Sequence, residues 1–414
     1  MKNAYTHHTY LKKHMLKAGI IAPLMLIIAA CGSNSSETAE GGIVAARRHV
    51  EDYTISAVSF RSMDDFFYTD SVAALPGEPL ASDPVSLDFS VTLGNTTMGL
   101  QDALRHTHTN ALLVMKDGKI LYEQYLNASN PDSRFISWSM AKSVTSILFG
   151  IALEQGAINS LDDTVDMYLP EFKDTAFEGV TLKNMLMQRA GTSYSEYTLT
   201  GTPDVNILAD QSLFRGEKRF TDIRTLGLNR DSDQGESFNY STLTSCILGR
   251  VIEVATGVPL AQYTEDMLWK PAGMQKSAYW MLDGKPGTGQ AFAGGGFNAT
   301  LVDYARIGQL MLNGGSIDGK QVVPANWVKT STTYTGSDPV LSGTPRGYGY
   351  QWWTFLGTEI YEAVGIHGQF ISVDPKTNTV IVKLSYWPER GSGDFAKENH
   401  QLLTAIRQHI TAPQ

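Results

Sequence analysis

Ser139 and Lys142 stand three residues apart in "SMAKSVTSILFGIALE" (139–154), the one S-x-x-K in the chain. On a helix, residues i and i+3 share a face. Ser139 follows "RFISW" and falls at the start of the helical pattern, where free N–H groups and the helix dipole favour developing negative charge. Lys142 lies among small and apolar residues. A lysine held there loses solvation, so its pKa falls or it keeps its charge against a partner; either state helps to deprotonate a serine, a weak nucleophile until activated. The bland alternative is a serine N-cap with a lysine that snorkels to the surface, and spacing by itself favours that alternative.

Two further elements bear on the choice. Tyr240, in "GESFNYSTLTSCILG", follows a turn at Gly235 and precedes a helix. A tyrosine with a reference pKa of about 10 acts as a base only where a nearby cation stabilises its phenolate, and Lys142 is a candidate for that cation. Taken alone, Tyr240 could equally be a packed aromatic. In "GIHGQF", Gly365, His367, Gly368 and Gln369 interrupt what should be a strand. Glycine there permits close approach of backbone or ligand, and an exposed strand N–H could join that of Ser139 in an oxyanion hole. By itself, His367 reads at least as well as an ordinary strand histidine. His106 and His108 in "RHTHTN" find no third ligand at suitable spacing and are read as loop residues, so no metal is expected.

The elements that must position these groups are legible in outline. "ALLVMKDGKILYEQYL" (111–126) is a hairpin pattern around Lys116-Asp117-Gly118, and Tyr125 at its end reads as structural. A second hairpin pattern spans 360–387, turning at Asp374–Asn378. The last segment, with Leu402, Leu403, Ile406 and Ile410 on one face, is helical. Between the strand groups the chain reads as helix and loop, including the Cys246 helix, whose apolar face makes that cysteine core. The expectation is an α+β body: an antiparallel sheet flanked by helices, with its α/β part at about 100–155 and 345–414 and a mostly helical insertion over about 156–344.

These motifs occur in an order that resembles the serine β-lactamase-like hydrolases of the class C and penicillin-binding type, above all the 6-aminohexanoate-dimer hydrolases and related carboxylesterases. "VMKDGKILYEQY", "SWSMAKSVTS", "GVTLKNMLMQRAGTSYSEY", "GGGFNATLVDYARIGQLMLNGG", "YGYQWW" and "GIHGQFISVDP" all carry the likeness, over about 100–410. The resemblance implies a β-lactamase/transpeptidase-like fold and reverses the bland reading of Ser139. It implies that Ser139 is the acylated nucleophile, Lys142 its partner and Tyr240 the first residue of the Y-x-N-type motif. His367, Gly368 and Gln369 would occupy the K-T-G position, with the second oxyanion N–H around Phe370. Tyr197 is similar to a loop tyrosine that contacts the scissile amide in amide-cleaving members. Thr242 in place of the usual Asn, His367 in place of Lys and "MQRAG" in place of a small-polar run depart from the family's pattern and point away from an efficient β-lactamase. The implied activity is a small-molecule esterase or amidase without cofactor. The alternatives are a β-lactamase, a D-alanyl-D-alanine carboxypeptidase, or a non-catalytic peptidoglycan-binding homologue.

The N-terminus has its own pattern. Lys2, Lys12, Lys13 and Lys17 precede "IIAPLMLIIAAC", which matches a signal peptide over 1–30. Ile28-Ala29-Ala30-Cys31 resembles a bacterial lipobox, which implies lipidation of Cys31, a membrane anchor, a flexible tether over 31–44 and a periplasmic, outer-membrane lipoprotein. The formal charge is −9, and losing four leader lysines makes it −13, which argues against a nucleic-acid partner.

Overall fold

The computed structural model describes residues 35–198, 200–390 and 393–412. The leader and Cys31 lie outside them. The chain divides into two units, 1–41 and 42–414, and the second carries the fold. Residues 35–44 of the expected tether are helical, within the Ser35–Arg48 helix. Ala45 and Ala46 are good helix formers, and Arg47 and Arg48 complement the dipole in its last turn.

An eight-stranded sheet organises this unit, in the order Arg346–Tyr348, Trp353–Phe355, Tyr361–Gly365, Gln369–Asp374, Thr379–Ser385, Thr109–Lys116, Lys119–Tyr125, Ala81–Ser82. Neighbours are antiparallel except the last pair. Both expected hairpins are present, and the late one lays Thr379–Ser385 against Thr109–Lys116. Side chains alternate across the sheet. Ala111, Leu113, Met115, Val380, Val382 and Leu384 enter one core with the Met140–Glu154 and Leu301–Leu312 helices. Leu112, Val114, Phe370 and Ile381 enter a second core, under Leu402, Leu403 and Ile406 of the C-terminal helix Gly393–Thr411.

The middle of the chain departs from the expected helical insertion. A second antiparallel sheet runs in the order Thr69–Val72, Ala278–Met281, Phe297–Ala299, Phe135–Ile136. The expected boundary at 344 therefore falls too late, because Ala278–Met281, Phe297–Ala299 and the Leu301–Leu312 helix belong to the body. These strands are short and buried on both faces, so they show none of the alternation that marks a half-exposed strand.

The Met140–Glu154 helix is buried from Met140 through Ala152, as expected of an element that is apolar on most sides. At Gly150 a Cβ would lie 2.2 Å from the Trp327 ring, so the close packing there requires glycine. The Thr242–Thr256 helix packs alongside, starts at the Ser241 cap and stops at Gly257, whose φ is +71°.

Candidate active site

The strand Phe135–Ile136 delivers the chain to Ser139. Ser137 N–H donates to Phe297 O at 2.8 Å, anchoring the approach to the second sheet. Trp138 then takes φ +43°, an uncommon value for a bulky residue, and turns the chain into the helix. Ser139 occupies the N-cap position, yet its side chain caps nothing. Its hydroxyl is left for Lys142, whose Nζ lies 3.0 Å from Oγ. The N-cap alternative therefore does not describe Ser139, and a lysine 1% exposed does not snorkel.

Lys142 Nζ makes two more contacts, to Thr242 Oγ1 at 3.0 Å and to Gly294 O at 2.7 Å. The Gly294 carbonyl reaches it because position 294 has no side chain: a Cβ would meet Thr242 O at 2.6 Å and Cys246 Sγ at 3.2 Å. Burial lowers the lysine's pKa to about 8, against an opposing pull from Glu196. Glu196 accepts from Thr242 N–H at 3.0 Å and from the Thr242 hydroxyl in a short bond.

Tyr240 joins this group, but not as the expected phenolate. Its ring lies under Lys142, with Nζ 4.9 Å from the centroid, and stacks on Trp353 at 5.6 Å. Burial, then the neighbouring Tyr348, push its pKa well above the usual range, while a hydrogen bond with Ser139 acts the other way. Both shifts favour the neutral forms, the phenol of Tyr240 and the amine of Lys142. Gln188 fixes the segment: its backbone O accepts from Asn239 N–H and its side-chain Oε1 from Ser241 N–H, each at 2.8 Å. Gln188 belongs to the "MQRAG" that departs from the family pattern.

The GIHG turn is placed differently from the expectation. The residues that come up to the Ser137–Ser139 segment are Gly365, at the end of the Tyr361–Gly365 strand, and Ile366 after it. A Cβ on Gly365 would lie 2.2 Å from Ser137 O. Ile366 lines both cavities that reach Ser139. The N–H groups of Ser139 and Ile366 have no hydrogen-bond partner among the described residues. His367 turns away from this cleft. It is 2% exposed, its Nδ1 bonds to Trp387 O at 2.6 Å and its Nε2 to Glu51 at 3.1 Å. Burial disfavours the Glu51 charge, but hydrogen bonds from His367 and Arg390 outweigh it and hold that pKa low. Gly368 packs on Trp387 with φ +86°, and Gln369 Nε2 bonds to Ser385 O at 2.7 Å. These three residues build the turn and face no ligand space. Phe370 borders the outer cavity but points into the second core. Tyr197, 68% exposed, stands at the rim of both cavities.

The inner cavity, ≈ 100 Å³, is apolar, walled by Trp138, Phe67, Phe214, Met281 and Phe292. The outer one, ≈ 530 Å³, is lined by Tyr240, Trp353 and Leu341 and carries the Arg346 and Arg390 guanidinium groups. Elsewhere His106 pairs with Glu398, and His108 packs against Tyr53, Tyr386 and Phe395. No cluster of metal-ligating side chains occurs among the described residues.

A family model described as Beta-lactamase matches residues 100–405. The chain belongs to the β-lactamase family. It is 30% identical over 328 residues to a 6-aminohexanoate-dimer hydrolase of Paenarthrobacter ureafaciens, covering 76% of this chain and 80% of that one. A Bacillus anthracis structure provisionally named a 6-aminohexanoate-dimer hydrolase superposes with a TM-score of 0.78 at 26% identity, over 88% of this chain and 97% of the other. A penicillin-binding protein from Bacillus halodurans shares the fold, with a TM-score of 0.57 at 18% identity over 74% and 98% of the two chains. The β-lactamase/transpeptidase-like α+β fold and the assignment to the family's serine hydrolases of ester and amide bonds therefore stand.

Glu196, Gln188, Gly294 and Ile366 were not singled out from sequence. The signals there were indirect: Glu196 is an acid flanked by tyrosines in "SYSEY", Gln188 lies in the unusual "MQRAG", and Ile366 lies in "GIHGQF", where a strand N–H was expected for the oxyanion hole.

Proposed function

We propose that the protein hydrolyses a small-molecule ester or linear amide through an acyl-enzyme on Ser139. The observation that carries this reading is the contact of a fully buried Lys142, with its lowered pKa, on a serine hydroxyl that caps nothing at a helix N-terminus. Neutral Lys142 accepts the Ser139 proton as Oγ attacks the carbonyl carbon. The oxyanion is received by the N–H groups of Ser139 and Ile366. The protonated phenol of Tyr240 donates to the leaving group and is reprotonated at the expense of Lys142, which, neutral again, activates the water that releases the acid.

The apolar inner cavity suits an acyl or alkyl chain, and the wider outer one admits the other half of the substrate. His367 is turned away from the cleft, bonded to Trp387 O and Glu51, and so does not stand where a K-T-G lysine would meet a β-lactam carboxylate, which supports esters and linear amides over β-lactams. The test is fluorophosphonate labelling with a screen of p-nitrophenyl esters, short linear amides and nitrocefin. Ser139-dependent labelling and turnover of an ester or amide is expected; labelling equal in wild type and Ser139→Ala rules the reading out. We also propose an envelope location through lipidated Cys31. Membrane fractionation unchanged by Cys31→Ser overturns that.

A further inference from the structure

Lys142 can activate Ser139 only if its lone pair faces the serine. A neutral amine has two N–H donors and one lone pair, and Nζ has three polar neighbours: Ser139 Oγ, Thr242 Oγ1 and Gly294 O. Which neighbour meets the lone pair depends on where the protons of the other groups lie.

Gly294 O is a carbonyl and can only accept. Thr242 Oγ1 carries one proton and could in principle donate it to the lysine. That would waste the lone pair on the threonine and leave the amine donating to Ser139. The carboxylate of Glu196 excludes this arrangement. One of its oxygens takes the Thr242 hydroxyl proton in a short bond, and the other takes the Thr242 N–H at 3.0 Å. With its proton committed, the Thr242 oxygen can only accept from Lys142. Both N–H donors of the neutral amine are then used, on Thr242 and Gly294, and the lone pair is left for the Ser139 hydroxyl.

We propose that Glu196 is a positioning residue, which acts through the Thr242 hydroxyl to orient neutral Lys142 with its lone pair toward Ser139. The inference rests on the Ser139–Lys142 reading above and extends it to a loop residue and to the threonine that stands in place of the family's asparagine. Atoms balance without a co-reactant: the proton leaves Ser139 Oγ for Lys142 Nζ, and the Thr242 hydroxyl proton stays in its bond to the Glu196 carboxylate. Glu196 has a second effect on the same lysine. Its negative charge favours the protonated form and so raises the pH at which the base becomes available.

The experiment is steady-state kinetics and pH profiling with p-nitrophenyl esters on Glu196→Ala, Glu196→Gln, Thr242→Val and Thr242→Ser, with Ser139→Ala as the blank. Glu196→Ala and Thr242→Val are expected to lower kcat by about 100-fold, the scale of a misdirected general base, with KM within about threefold. Combining the two should cost little beyond either alone, since both break one chain. Thr242→Ser, which keeps the hydroxyl, should recover most of the loss seen in Thr242→Val. In Glu196→Gln the acid limb of kcat/KM should move to lower pH, which a purely structural role would not produce. Ser139-dependent turnover that survives Glu196→Ala within threefold, with the acid limb unmoved in Glu196→Gln, overturns the inference and leaves the serine-hydrolase reading intact. No Ser139-dependent turnover in the wild type overturns both. Full additivity of Glu196→Ala and Thr242→Val also overturns it.

Discussion

Among the described residues two lysines are fully buried, and they sit in different cores. Lys142 belongs to the helix on one side of the large sheet. Lys383 lies on the central strand Thr379–Ser385 and shares the other face with Ile381, which packs under the C-terminal helix. Burial lowers both pKa values, Lys142 to about 8 and Lys383 to about 7. Neither has a carboxylate within ion-pair distance among the described residues. Lys383 donates to Ser385 Oγ at 2.6 Å and Thr107 O at 3.3 Å, so it too touches a serine. By pKa and by serine contact the two are nearly equivalent. What separates them is access. Ser139 opens onto two cavities and a helix N-terminus, whereas Ser385 is 1% exposed between strands. A depressed lysine therefore marks a base only where a substrate can reach its partner.

Substitution should separate the pair most sharply. Lys142→Ala is expected to cut kcat/KM for esters by about 1,000-fold, in the upper range for loss of a general base. Lys383→Met should leave it within threefold; a tenfold loss there would break the comparison. Next in size is Tyr240→Phe, which removes the proton donor but keeps the stacking on Trp353. A loss of about 100-fold in kcat is expected, greater for poor leaving groups than for p-nitrophenol. Equal losses for both kinds of leaving group would argue for a packing role.

The pH dependence sharpens the contrast further. Lys142 works as a base when neutral, so kcat/KM should rise with pH through about 8 and then level. Lys383→Met should not move that limb. The smallest effect is on stability. Each lysine has a native pKa below its unfolded value of about 10.5. Between the two values the unfolded chain holds a proton that the native chain lacks, so stability rises with pH across about 7 to 10.5. Each contributes a slope of at most about 1.4 kcal/mol per pH unit. Urea melts at pH 6 to 9 should show a shallower rise for Lys383→Met than for wild type. An unchanged slope would mean that Lys383 is not destabilised by its burial.

The difference between the two lysines was only half legible in sequence. Ser139 and Lys142 could be read because a helical spacing and a breaker-rich strand accompany them, whereas Lys383 is an unremarked letter in "VIVKLSYW". The hairpin pattern assigns the late strands to a sheet, but it does not say which end of a strand meets the helix. The abutting residues proved to be Gly365 and Ile366, set by the Gly365–Ser137 approach, and not the stretch around Phe370. The Glu196–Thr242 bond spans 46 positions and depends on a loop's path, which no local pattern encodes. Ala278–Met281 and Phe297–Ala299, inside the expected helical insertion, stayed hidden because every residue in them is buried.

The cleft is also built from distant parts of the chain. Ser143 Oγ bonds to Gln351 O, 208 residues later, and the strand that carries Lys383 slots between Gln369–Asp374 and Thr109–Lys116. During synthesis the serine and its lysine emerge early, but the strand end that closes the site and the strand that supports it emerge among the last. A growing chain therefore holds Ser139 and Lys142 without the cleft around them until the strands over 361–385 have been made. Truncation before Thr379 should yield an inert protein however intact its first half, so catalytic competence doubles as a report that synthesis has passed the Thr379–Ser385 strand.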